Sequence, residues 1–252
     1  MTPSFPFLLA LTAAVAFLIG LSKGGLGGVI GALATPLMAL VLPADEVIGL
    51  LLPMLIIADV FALAAHWRRW EWRLVGLLIP GAVLGVTIGT FFITNAPTGT
   101  LRVLLAIIVL IFAGYKLIEG RLNRAAGDST NRLWGASGMG LLMGAVAGFS
   151  SALAHTGGPP VSIYLLQQKI KPRVFVATSA LFFALLNWIK TPYYLYAGLF
   201  DFERLLSLAW ALPFLPLGVW VGRAFVTRIN RPVFERVVTV LLALTAILLL
   251  VE

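Results

Sequence analysis

The chain has no cysteine and only two histidines, and charged residues make up just 11% of its 252 positions. The absence of cysteine excludes disulfides and thiolate metal sites. An intramembrane enzyme would need a nucleophile with a base, a metal-ligand cluster or a carboxylate dyad. Two distant histidines and one acid well inside an apolar run supply none of these, so the chain does not read as an enzyme, and no metal or cofactor is expected. It contains no GxxxxGK[ST] loop and therefore no nucleotide-driven motor of that kind. The opening MTPSFPFLLA lacks a basic segment ahead of its apolar run, so it is not read as a cleaved signal peptide and is expected to stay in the mature protein.

What is abundant is apolar. Hydrophobic residues reach 60% and mean hydropathy is +1.02. Several runs reach the roughly 20 residues that cross a bilayer as helix. The class is an all-α polytopic membrane protein. A barrel would need short strands of alternating polarity, and these runs are apolar on all sides. The formal charge of +8 comes from Lys and Arg in short segments beside apolar runs. That is how topology is written, and it does not point to nucleic acid. The expected partners are the lipid bilayer and a small anionic substrate.

Two stretches depart from this pattern. Gly20 to Pro36, GLSKGGLGGVIGALATP, places a lysine and six glycines inside an apolar run from Phe5 to Leu42. Gly148 to Pro160, GFSSALAHTGGPP, interrupts a second run, Trp134 to Leu166, in a similar way. Simple spans are expected near Val47–Ala65, Leu74–Ile93 and Leu101–Ile118, then Val174–Leu199, Leu205–Val226 and Val233–Val251. His66 to Arg73, HWRRWEWR, has the composition of an interfacial anchor. Pro80, Gly85 and Gly89 recur as Pro213, Gly218 and Gly222 at an offset of 133. The chain therefore reads as a single transmembrane domain, 1–252, with repeat one at about 5–118, a linker at 119–133 and repeat two at about 134–252. Glycines four apart are also common wherever membrane helices pack closely.

Charge decides how the interrupted elements are drawn. Of 18 Lys and Arg, 16 remain once Lys23 and Lys190 are set aside. If both interrupted elements cross, these divide evenly between the two faces. If both are re-entrant, only Arg102 and Arg204 fall on one face, which satisfies the positive-inside rule. The favoured plan is two inverted repeats, each with one broken or re-entrant element plus three transmembrane helices, the elements dipping from opposite faces. Eight full crossings are the alternative. A weakly biased chain of that kind could insert both ways and form an antiparallel homodimer.

Broken helices expose backbone N–H groups at half-helix starts, where the dipole favours an anion and glycine allows close approach. Gly24, Gly25, Gly27, Gly157 and Gly158 are such places, and Pro159–Pro160 suits a half-helix start. Lys23 adds a charge beside the first cluster, with snorkelling to an interface as the alternative. Lys190 has Asn187 one turn earlier on the same face. Asp59 is expected at similar depth, since an offset of 133 places Lys190 on residue 57. It would pair with Lys190 or Lys23, or protonate to release a lysine and couple transport to protons. His155 is either a substrate or proton ligand or a hydrogen-bonded structural group. Ser22, Ser150, Ser151 and Thr156 either donate to substrate oxygens or cap the broken helices.

GLSKGGLGG, LPADEVIGLLLPMLIIAD, HWRRWEW with PGAVLGVTIG, and GFSSALAHTGGPP, in that order and spacing, resemble the sulfite exporter (TauE/SafE) family of membrane permeases from about Leu9 to Leu242. The resemblance implies export of sulfite or of a small organosulfonate such as sulfoacetate. The second half departs from a strictly glycine-rich pattern at Ala154-His155-Thr156. The expectation is a secondary carrier in a cell inner membrane working by alternating access. The alternatives are an anion channel, a carrier of a small carboxylate, or a membrane assembly or scaffold protein.

Overall fold

The computed structural model describes residues 5–39, 42, 44–95, 135–200, 202–234, 236–237 and 240. The expected span Leu101–Ile118, the linker 119–133 and most of Val233–Val251 lie outside these residues. The elements are α1 (Phe5–Gly25), a 3-10 turn (Ile30–Leu33), α2 (Ala34–Ala39), α3 (Ala44–Ala65), α4 (Trp72–Asn95), α5 (Gly135–Ala154), α6 (Gly158–Gln167), α7 (Pro172–Tyr196), α8 (Phe202–Ser207), a second 3-10 turn (Ala209–Ala211) and α9 (Phe214–Arg228). Among the described residues five helical stretches are long and apolar enough to cross a membrane: Glu46–Ala65, Trp72–Ile93, Ser137–Ala154, Pro172–Tyr196 and Ala209–Arg228. The protein is a multi-pass helical membrane protein.

The expected continuous span Leu205–Val226 is instead divided into α8, a turn and α9. Pro213, at the N-cap of α9, has no N–H with which to continue a helical hydrogen-bond ladder across this point. The other predicted spans fall within α3, α4 and, but for its last three residues, α7. The anchor at His66–Arg73 forms the turn between α3 and α4 and the first two residues of α4, and within it Trp67, Trp70 and Trp72 stack edge to face at 5.5 and 6.0 Å.

Glycine sets the helix pairing. Gly144 lies against Leu78, Gly148 against Ala82 and Gly89 against Ala152, so α5 runs parallel to α4. In the same way Gly20 meets Leu215, Gly24 meets Val219 and Gly25 meets Gly222, making α1 parallel to α9. A Cβ on Gly24 would fall 2.6 Å from Val219 Cα, and one on Gly148 would fall 2.9 Å from Ala82 Cα. Backbones this close are what small residues permit in membrane helices. By contrast α3 and α7 are antiparallel: Gly49 abuts Leu199, Asp59 reaches Asn187, and Ala62 clusters with Ala180.

These pairings fix where each interrupted element goes. At one end of the bundle α4 begins beside the first turns of α5, with Gly140 against Leu77. There too α7 begins, and Thr178 Oγ1 accepts the Glu71 N–H at 3.0 Å. α6 therefore carries the chain back to the end at which α5 started. α9 finishes at this end, where Arg173 donates to the Thr227 carbonyl at 3.0 Å. Its parallel neighbour α1 thus starts at the opposite end, and so does α3, antiparallel to α7. Each broken element returns the chain to the end from which it set out, and the two come from opposite ends. Arg68, Arg69, Arg73, Lys169, Lys171, Arg173 and Arg228 all gather where α4 and α7 begin, and we call this the basic end.

Candidate functional site

The two breaks have the same local construction. α1 stops at Gly25 and α5 at Ala154. Gly27 and His155 both adopt the left-handed conformation, with φ of +63° and +56°. The next amide donates to the carbonyl of a serine six residues back: Gly28 to Ser22 at 3.1 Å, and Thr156 to Ser150 at 3.4 Å. Glycine takes this conformation freely, whereas a residue with a Cβ pays roughly 1–2 kcal/mol. At His155 the ring contacts described below hold it in place.

The equivalence also corrects the register between the halves. The breaks are related by 155 − 27 = 128 and the starts of α3 and α7 by 172 − 44 = 128, against the 133 that relates Pro80 to Pro213. The difference of five residues falls between α7 and α9, where the second half carries α8 and its turn. Lys190 therefore matches Ala62 and not residue 57, and Asp59 matches Asn187. These two equivalent residues touch: Asn187 Nδ2 donates to Asp59 Oδ2 at 2.6 Å.

The other Asp59 oxygen accepts from Lys23 in a buried ion pair. Of the partners expected for Asp59, Lys23 is the one that reaches it. Lys190, fully buried, donates to Ser151 Oγ at 3.0 Å, the Ser151 carbonyl at 3.3 Å and His155 Nδ1 at 2.9 Å. An ammonium only donates, so Nδ1 is the acceptor and the proton of the His155 ring lies on Nε2, which donates to the Ile48 carbonyl at 2.9 Å. No carboxylate bonds to Lys190 among the described residues. Tyr194 closes this side, with its hydroxyl donating to the Ala152 carbonyl at 2.6 Å.

Between the two lysine clusters lies a cavity lined by Lys23, Gly28, Ser151, His155, Gly158 and Asn187, together with apolar side chains. At about 20 Å³ it holds one water, which needs about 10–15 Å³ on this measure, and is too small for an oxyanion as it stands. The breaks meet beside it. Gly158, the first residue of α6, packs on the Gly28 carbonyl, and Thr35 Oγ1 donates to the Ala154 carbonyl at 2.6 Å.

Lys23, Ser151, His155, Gly158 and Asn187 thus line one cavity, with Asp59 bonded to Lys23 and Asn187 and Lys190 bonded to Ser151 and His155. The remaining expected residues have other neighbours. Gly24 and Gly25 are the last residues of α1 and press on α9, while Gly27 faces Phe175 and Ser179. Ser22 Oγ accepts the Gly31 N–H at 2.8 Å, Ser150 Oγ donates to the Val146 carbonyl at 2.8 Å and Thr156 Oγ1 to the Ser150 carbonyl at 3.1 Å. These three hydroxyls satisfy the backbone at the breaks. Gly157 is the N-cap of α6, and Pro159–Pro160 start that half-helix as expected. Sequence reasoning missed Phe183, whose ring lies 5.2 Å from Lys23 Nζ. Its one sequence signal is its place one turn before Asn187. It also missed His66, whose Nε2 bonds the Gly24 carbonyl at 2.8 Å. Among the described residues no three histidine or acid side chains converge on a metal site.

Comparison with curated proteins and with solved structures gives no match. The sulfite exporter TauE/SafE family matches residues 12–249, nearly the whole chain, and the protein belongs to that family of membrane transporters of sulfur-containing anions.

Proposed function

We propose that the protein is a secondary carrier that exports a small sulfur-containing anion, sulfite or an organosulfonate such as sulfoacetate, by alternating access across the cell inner membrane. One observation carries the reading: Lys190 is fully buried directly behind the cavity-lining Ser151 and His155, with three neutral acceptors and, among the described residues, no carboxylate bonded to it. An unpaired buried cation is costly, and an arriving anion offsets that cost. Lys23 is already matched by Asp59, so Lys23, Lys190 and Asp59 together leave one positive charge for a substrate.

The surroundings support the same reading. Half-helix breaks entering from opposite ends, with equivalent helices α3 and α7 antiparallel, are features of inverted-repeat carriers whose sites lie at the repeat interface. The concentration of Lys and Arg at one end favours placing that end in the cytoplasm. Because the cavity holds only about one water, the anion is admitted by a movement that separates the hairpin tips, one end at a time.

The test is uptake into proteoliposomes of sulfite, sulfoacetate, thiosulfate and short carboxylates, with and without a pH gradient. Saturable flux of a sulfur oxyanion is expected, with Lys190→Met losing roughly 10- to 100-fold in kcat/KM for the loss of a charge-assisted contact of about 1.5–3 kcal/mol. Flux that rises linearly with concentration would indicate a channel. Unchanged constants in Lys190→Met would remove that residue from the site.

A further inference from the structure

The cavity straddles equivalent positions of the two halves. Lys23 and Ser151 both line it, and so do Leu55 and Phe183, each pair separated by 128 (151 − 23 and 183 − 55). Leu55 lies midway along α3 and Phe183 midway along α7. Beyond the cavity they join different apolar clusters. Phe183 belongs to the one containing Phe175 and Val226, which fills the basic end, and Leu55 to the one containing Val47 and Leu215, which fills the other. Phe183 also presses on both breaks: a Cβ on Gly28 would fall 2.6 Å from its ring, and one on Gly157 would fall 3.3 Å from it.

We propose that Phe183 and Leu55 are the two gates of the carrier, Phe183 closing the cavity toward the basic end and Leu55 toward the opposite end. Each is nearly buried, at 7% and 6% exposure, so neither path is open while its side chain stays in place. The polar groups around the cavity cannot seal it, because they are committed to Asp59, Ser151 and His155. Phe183 on one side, and Leu55 with its cluster neighbour Ile19 on the other, are what separate them from the ends of the bundle. The larger Phe183 ring, wedged between the hairpin tips, sets the limit on the size of anion that passes from the basic end. What passes rests on the transport reading above, but the closure itself does not.

Because the chain has no cysteine, a single introduced thiol reports on each path. Ile19→Cys places one on the cavity wall. It is probed in sealed vesicles of each orientation with a membrane-impermeant methanethiosulfonate bearing a sulfonate, and Arg68→Cys identifies the basic end. Adding Phe183→Ala should raise Ile19→Cys labelling by about tenfold or more from the basic end alone, and adding Leu55→Ala should do so from the opposite end alone. Phe183→Leu and Leu55→Val should give the same sidedness more weakly, and they decide the matter if either alanine variant does not fold. Equal acceleration from both ends, or unaltered labelling in folded variants, overturns the proposal. Sided labelling in a protein that moves no sulfur anion would sustain the gates and overturn the substrate assignment.

Discussion

Two buried lysines share one buried polar region, and they are not equivalent, since Lys23 bonds the Asp59 carboxylate and Lys190 bonds Ser151 and His155. Removing one member of a buried pair leaves the other charge uncompensated, at a cost of about 3–5 kcal/mol, whereas replacing both partners is often nearly neutral. Lys23→Met should therefore sharply lower the thermal unfolding midpoint of the detergent-purified protein, and Lys23→Met with Asp59→Asn should recover much of the loss. Equal losses in the single and double variants would mean that the pair is not coupled. His66, in the turn beyond α3, is held below the usual imidazole range by burial, with Arg223, Arg69 and Arg173 adding to the effect. The unfolded chain then binds the proton more readily than the folded one. Stability from this group is present above its ordinary value of 6.5 and is lost as pH falls toward the folded value. Between pH 7 and pH 5 the wild type should lose more stability than His66→Gln, which no longer titrates. At this scale the anomalies were readable in the sequence: Lys23, Asp59, His155 and Lys190 stand out because charge and imidazole are rare in apolar runs. Which lysine takes Asp59 was not readable, because partner choice depends on a register the sequence did not reveal.

At the scale of elements, the helix pairs α1–α9 and α4–α5 are held at backbone contact by glycine. A Cβ on Gly85 would fall 2.7 Å from the Phe149 amide nitrogen, whereas Gly76 of the same helix has nothing within 4 Å. Gly85→Ala should destabilise the protein by roughly 1–3 kcal/mol through overpacking. Gly76→Ala should stabilise it by about 0.5–1 kcal/mol by restricting the unfolded chain and improving helix propensity. Unfolding midpoints of the two variants give the comparison, and shifts of the same sign would contradict it. The repeated PGAVLGVTIG and PFLPLGVWVG segments announced close packing, and the structure extends that use to Gly24 and Gly25. The division of Leu205–Val226 was hidden because the residues about the break, Leu208 to Leu212, are all apolar, leaving Pro213 and Pro216 as the local signals. The breaks at Gly27 and His155 were visible as composition. The hydrogen bond they share, from the next amide to a serine carbonyl six residues back, was not, because glycine and histidine share no side-chain signature for a left-handed turn.

Across the whole molecule, two hairpins enter from opposite ends and their breaks meet beside one small cavity, with basic side chains gathered at one end. The charge count anticipated elements that return to their starting end, because only that route collects Lys and Arg on one face. The offset of 133 obscured the equivalence of Asp59 and Asn187, since it holds for α4 and α9 but not for α3, α7 or the breaks. A difference of five residues between the two offsets is silent in composition and changes every pairing drawn between the halves. In the proposed carrier Lys190, which bonds no carboxylate among the described residues, waits for an anion. Exchange of labelled sulfite against unlabelled sulfite across proteoliposomes, in wild type and in Lys190→Met, tests this most directly. Saturable exchange accelerated by sulfite on the far side, and lost in the variant, is the predicted result. Exchange that is indifferent to far-side sulfite, or that is retained in Lys190→Met, would contradict it.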